Sequence, residues 1–381
     1  MRPACFSAIL LCVLPSWTFA SAPQGIPMLN LNPGNVLESV TRYVASKVRF
    51  SGKTDANRDQ IRDTLGLVGN DLIWSQHQFG INYQDSNGWR NGEDTNQLAL
   101  NYGISLSDIV LGFQYQASDY SGFSVGSGHR FDSDRSQRAL KLTGTRRWFS
   151  WRGLNFSGVL SHSVEKKTVT EDRGWEEDSL HQLSKLGIEA RKEGQLLSGV
   201  TSSASIAAFG GVDLQEVDHA SGGDVSRDRF QKLALSASLS KKAHDWTFGL
   251  GGRYQFADSD LPESEWQSVA GPSLAIGYNG KSRQAPEGGW LKLHAGSPKF
   301  QLPLFSAVRS SVTMSVLRGW TPNLDFTGER SGNASVGELS LRLAARDFSA
   351  AMSVGKILDA SDGMMEVPTR PDLSLSFSVG L

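Results

Sequence analysis

The sequence predicts an all-β protein: a transmembrane antiparallel β-barrel of about 16 strands, with a short N-terminal helix. Three observations predict it. Apolar and small or polar residues alternate with period two from about residue 70 to the end. Short turns alternate with long polar loops. The chain opens on an export signal. The final segment shows the pattern most plainly. Leu373, Leu375, Phe377, Val379 and Leu381 fall on one face of a strand, and Ser374, Ser376, Ser378 and Gly380 on the other. A strand with one lipid-compatible face and one small, polar face is the repeating unit of a membrane barrel.

From the N-terminus, Arg2 and the apolar stretch Ala8–Leu14 form a signal peptide, residues 1–20, too short to span a membrane as a helix. Cleavage falls at 20 or 22. Cys12 is no lipid-attachment site, because Leu11 stands where a small residue is needed. Residues 21–46 form an N-terminal segment on the periplasmic side. Within it Val36, Val40, Tyr43 and Val44 share one helical face, with Asn35 as cap and Glu38 three residues on. This helix is a candidate plug for the barrel lumen, or else a lead-in to the first strand.

Residues 47–381 make the barrel. Strands are expected at 47–53, 59–65, 71–84, 95–105, 108–118, 136–147, 154–165, 181–192, 203–214, 229–240, 244–256, 288–297, 304–317, 334–345, 347–355 and 372–381. Trp246, Phe248, Leu250, Gly252, Tyr254 and Phe256 alternate with Thr247, Gly249, Gly251, Arg253 and Gln255. Ser107, Lys241–Ala243 and Arg346 read as short turns. The stretches 119–135, 166–180, 215–228, 257–287 and 356–371 read as long extracellular loops. An even strand count puts both termini on the periplasmic side. Trp74, Trp148, Trp151, Trp246, Trp290 and Trp320 are candidates for the interfacial girdles. A soluble β-sandwich or a secreted β-solenoid is the competing architecture, since the strands of a sandwich also alternate.

Composition narrows the function. Net charge is −1, so no basic excess points to nucleic acid. No later apolar run approaches the length of a membrane-spanning helix. Both cysteines, Cys5 and Cys12, lie in the signal, which leaves no disulfide or thiolate metal site. No cofactor motif is present. No catalytic constellation is present either: His162 and Ser163 are strand neighbours and point to opposite faces. Asp258, Asp260, Glu263 and Glu265 form an acidic cluster that reads first as solvated loop charge and second as a calcium site of no standard spacing. His129, Asp132 and Asp134 read likewise as surface residues before metal ligands. Asn101, Gln114, Gln116, Lys141, Lys232, Arg253 and Gln255 fall opposite the lipid face and are the lumen-facing candidates.

Several segments, in order, resemble the barrel of the two-partner secretion transporters, the haemolysin secretion/activation family. They are Asp63–Asp71, Arg229–Ser240, Glu263–Trp266 with Gly271 and Gly277-Tyr278, Gly289–Leu293, Gly337–Leu343 and Ser353–Leu358. The resemblance spans about residues 47–381. It implies an outer-membrane translocator whose partner is a large secreted β-helical client. It also implies that loop 257–287 is the family's inward-folding sixth loop, with tip Ser273, Leu274, Ala275, Ile276, Gly277 and Tyr278. Outer-membrane lipid and the barrel-assembly machinery are the other expected partners.

Two departures stand out. Family members carry two POTRA domains before the barrel, and the roughly 25 residues between signal and first strand are too few for one. At the loop tip Ile276 stands where the family has an Arg that pairs with a wall acid. The matching wall stretch is read as Leu304–Arg309, without the Asp-x-Gly pattern. Joint loss of both partners avoids an unpaired buried charge. The other function class is a diverged, non-secretory pore or structural barrel.

Overall fold

Alternating side chains commit each segment to a sheet with two unlike faces, and closure of that sheet removes its edges. The computed structural model describes residues 47–381 except 58, 72–74, 89–92, 127–128, 172–174, 198, 220–221, 259, 303–304, 323–330, 362–363, 366 and 381. The helix residues Val36, Val40, Tyr43 and Val44 therefore lie outside the described residues.

Sixteen antiparallel staves run in chain order: β1 (Val48–Ala56), β2 (Ile61–Asn70), β3 (His77–Asn87), β4 (Asp94–Leu106), β5 (Ile109–Gly126), β6 (His129–Trp151), β7 (Leu154–Glu171), β8 (Trp175–Leu197), β9 (Val200–His219), β10 (Gly222–Ala243), β11 (Trp246–Ala257), β12 (Gly288–Gly296), β13 (Phe305–Thr321), β14 (Gly332–Ala344), β15 (Phe348–Ala360) and β16 (Asp372–Gly380). The short segment Phe300–Leu302 extends the β12 stave along β13. Each stave pairs with the next. β1 pairs with β16, from Arg49 opposite Gly380 to Ala56 opposite Leu373, which closes the barrel.

The outer face is apolar and open to its surroundings. Leu65, Leu111, Leu142, Leu160, Leu186, Leu293 and Leu375 are all exposed there, as a lipid-facing band requires. Trp148, Trp151 and Trp246 are exposed near the short-turn end. Trp320 sits beside Tyr254, ring centroids 6.1 Å apart, towards the long-loop end. Trp290 is not a girdle residue. It lies opposite Arg253 and packs against the loop inside the barrel, because strand parity gives its neighbours Leu291 and Leu293 the lipid face.

Three expected loops are largely strand. Stretches 119–135, 166–180 and 215–228 continue the hairpins β5/β6, β7/β8 and β9/β10, whose strands reach 18 to 23 residues. A tilted membrane strand needs only about 9–11. Beyond the lipid both faces meet water, so hydropathy no longer alternates, but the ladder continues. The short connections are two-residue turns at Arg152–Gly153 and His244–Asp245, with positive φ at both positions. That type I′ geometry matches the twist of the strands it joins.

Candidate functional site

The long connection between β11 and β12, residues 258–287, folds into the lumen. A single turn of 3₁₀ helix, Glu263–Glu265, leads into the short strand Gln267–Ala270. This strand pairs with Arg283–Ala285 on the way back. The loop is pinned to two walls.

On the β8–β11 wall the pin is polar. Glu265, 6% exposed, accepts Lys185 Nζ at 2.7 and 2.8 Å on its two oxygens. Lys232 Nζ also lies 2.8 Å from its Oε2 and donates to the Glu265 carbonyl at 2.9 Å. Gln255 Nε2 donates to the carbonyls of Glu265 (3.1 Å) and Pro286 (2.9 Å). Burial by itself pushes the Glu265 carboxyl up. The hydrogen bonds and charges of Lys185 and Lys232 outweigh it and hold the group below the ordinary carboxylate range. Leu261 packs beside this clamp on Leu183 and Phe230.

On the β12–β16 wall the pin is apolar and glycine-shaped. Val269, Ala270, Ala275 and Tyr278 pack with Leu317, Val336, Ile357 and Met364. A Cβ on Gly319 would collide with the Val269 carbonyl, and one on Gly355 with the Ile276 carbonyl. Both wall glycines therefore exist as gaps through which loop backbone touches strand backbone. The backbone N–H of Asn279 donates to Asp372 Oδ2 at 2.7 Å, and Lys292 Nζ donates to the Leu274 carbonyl at 3.0 Å. Tyr278 is fully buried, which pushes its phenol far above its ordinary value and keeps it neutral.

The tip residues thus divide by contact. Ser273 is exposed; Leu274, Ala275 and Tyr278 join the apolar pin; Ile276 and Gly277 lie against β15. Leu304 lies outside the described residues, and the residues of β13 seen to meet the loop include Leu317 and Gly319. Leu317-Arg318-Gly319 keeps the glycine of the Asp-x-Gly spacing and has Leu in place of the acid. The difference arises because β13 is 17 residues long and its loop-facing part is the far end.

Register places the lumen candidates on one inner surface. Asn101 pairs with Gln114, Gln114 with Lys141, Lys141 with Ser163, and Ser163 with Leu183, which touches the loop. Gln116, Lys232, Arg253 and Gln255 share that face by parity. Only Lys232 and Gln255 of the seven are brought against the loop by their side chains' hydrogen bonds. Lys185, Glu265, Gly319, Gly355 and Asp372 were not singled out as loop contacts by the sequence. Asp258, Asp260 and Glu263 are exposed, whereas Glu265 is buried between two lysines. A cation buried at an inward strand position needs a counter-ion, and that parity is the one signal pointing to it.

His162 faces outward, its Nδ1 2.9 Å from Ser184 Oγ, with no carboxylate partner among the described residues. Ser163 is on the inner face. No group of three or more His, Cys, Asp or Glu is placed to hold a metal ion among the described residues.

The fold and site define a closed sixteen-strand membrane barrel whose lumen is occupied by one of its own loops. Solved structures of this kind are CdiB from Acinetobacter baumannii (17% identity, TM-score 0.64, 87% of this chain and 60% of that one) and CdiB from Escherichia coli (14%, 0.63, 87% and 62%). The likeness is one of fold, and it agrees with the sequence resemblance to the two-partner secretion transporter barrel. The chain spans about three fifths of the length of either CdiB. No protein-family model matches the sequence, and no curated protein matches it.

Proposed function

We propose that this protein is an outer-membrane translocator of the two-partner secretion type, which passes a large β-helical partner protein through its lumen. The observation that carries the reading is the loop 258–287, docked inside a barrel of the CdiB fold by contacts that can be undone without breaking the wall. In this reading the short turns and both termini face the periplasm and the long hairpins face outward. The docked loop is the closed state. Its withdrawal opens a lumen lined by Ser, Gly, Gln and cations, a polar path for an extended chain. The client's folding outside supplies direction, since the barrel holds no energy source.

The test compares culture supernatants from cells with and without the protein, after a heat-modifiable band is confirmed in the outer membrane. Loss of one large protein from the medium, with its accumulation in the periplasm, is the expected result. An unchanged secreted set with a folded, abundant barrel overturns it. The second reading, a diverged non-secretory pore, is favoured by the polar lumen itself and by Ile276 and Leu317, which put an apolar contact where the family has an ion pair.

A further inference from the structure

The lumen wall away from the docked loop, towards the end that holds the termini, carries a charge pattern that docking does not use. A cavity of about 690 Å³ is lined there by Lys53, Lys299, Arg309 and Arg342, with Ser311 and Ser376 between them. Arg49 extends the row on the same face of β1. Arg49, Lys299, Arg309 and Arg342 are exposed to the lumen, and none has an ion-pair partner among the described residues. The carboxylates nearest in register are Asp55, 2.6 Å from Lys53 Nζ, and Asp347, across Gly380 from Arg49. The four charged residues that line the cavity are all cations, in a protein whose net charge is −1. A confined trough of one sign focuses its field and concentrates anions.

Spacing selects the kind of anion. Arg342 lies opposite Ser311, and Arg309 opposite Ala344, so the two arginines are diagonal neighbours on adjacent strands. Diagonal positions are about 7–8 Å apart. Alternate residues of an extended chain are about 7 Å apart. Lys53 and Arg49 lie three strands from Arg342, across Ala351 and Ser376, roughly 14 Å at ordinary strand spacing. Such a row is too wide to close around one small anion, but it matches carboxylates along an extended polypeptide, each available to an arginine fork.

We propose that this trough is a binding site for acidic segments of an extended polypeptide entering from the end of the barrel that holds the termini. The assignment rests on the translocator reading for its biological use, but not for its measurement. The experiment is fluorescence anisotropy of a labelled decaglutamate peptide against the detergent-solubilised full chain. The expected result is saturable, salt-sensitive binding, absent for the decaglutamine peptide and weakened about tenfold in Arg309→Gln/Arg342→Gln. The double variant must stay heat-modifiable. Arg309→Lys/Arg342→Lys, which keeps the charge, is expected to bind between wild type and the Gln pair. Equal binding by wild type and the Gln pair overturns the site. Displacement by inorganic phosphate at the same concentration as unlabelled peptide also overturns it, in favour of a small-anion site. No client is present, so failure here leaves the secretion test standing, and failed secretion leaves this binding intact.

Discussion

Two wall glycines and one glutamate decide whether the loop stays in the lumen. Gly319→Ala puts a methyl group where the Val269 carbonyl lies. The expected effect is a loop displaced at a cost of about 1–3 kcal/mol, the usual range for overpacking. Protease cleavage within 258–287 should rise while the barrel stays heat-modifiable; a loop as protected as in wild type would refute the glycine contact. Glu265→Gln removes the counter-charge from two lysines that are themselves buried, and breaking such a pair costs about 3–5 kcal/mol. Its pH dependence follows from the depressed carboxyl. The contribution is complete above the ordinary carboxylate value, about 4.3, and is lost only as pH falls through the lower docked value. Loop protection should therefore be flat from neutral pH down to about 5. Loss of protection near neutrality would mean that another group holds the loop.

At the scale of the strand, parity separates lipid from lumen one residue at a time. Leu142 is exposed on the outer face, and Lys141 beside it points inward. Leu142→Arg is expected to cost about 2–4 kcal/mol in urea unfolding from lipid vesicles, as a charge near mid-membrane does. Lys141→Gln should change stability by less than about 0.5 kcal/mol. Similar costs for both would place the strand in the wrong register. All sixteen staves overlap the expected strands, and most of their lower ends agree, although Lys241–Ala243, expected as a turn, is the end of β10 and β3 starts at His77 rather than 71. Their upper ends differ, because the alternation that marks a strand comes from lipid on one side. In 166–180, Lys166, Lys167, Glu176 and Glu177 look like loop residues although Lys167 and Lys166 pair with Ser179 and Leu180 in a regular ladder.

For the whole molecule, a loop that belongs to the wall lies docked inside the lumen. Replacement of 258–287 by a short turn is expected to give a steady, large conductance in planar bilayers, where the intact protein conducts little. Equal conductance would mean that the loop does not obstruct the path. The sixteen staves, the inward faces and the position of the long connection were all legible in the sequence, because each depends only on period and spacing along the chain. The loop's anchorage was not. Glu265 is one of four acids in a row of loop residues, and only the curvature of the closed barrel brings Lys185, 80 residues earlier, within 2.7 Å of it. Gly319 and Gly355 look like ordinary strand glycines until the loop backbone is laid across them. Local periodicity determined that this chain closes into a membrane barrel. Which charges meet in its lumen, and which are left facing the water there, was decided by closure, because only closure puts residues far apart in the chain across one narrow space.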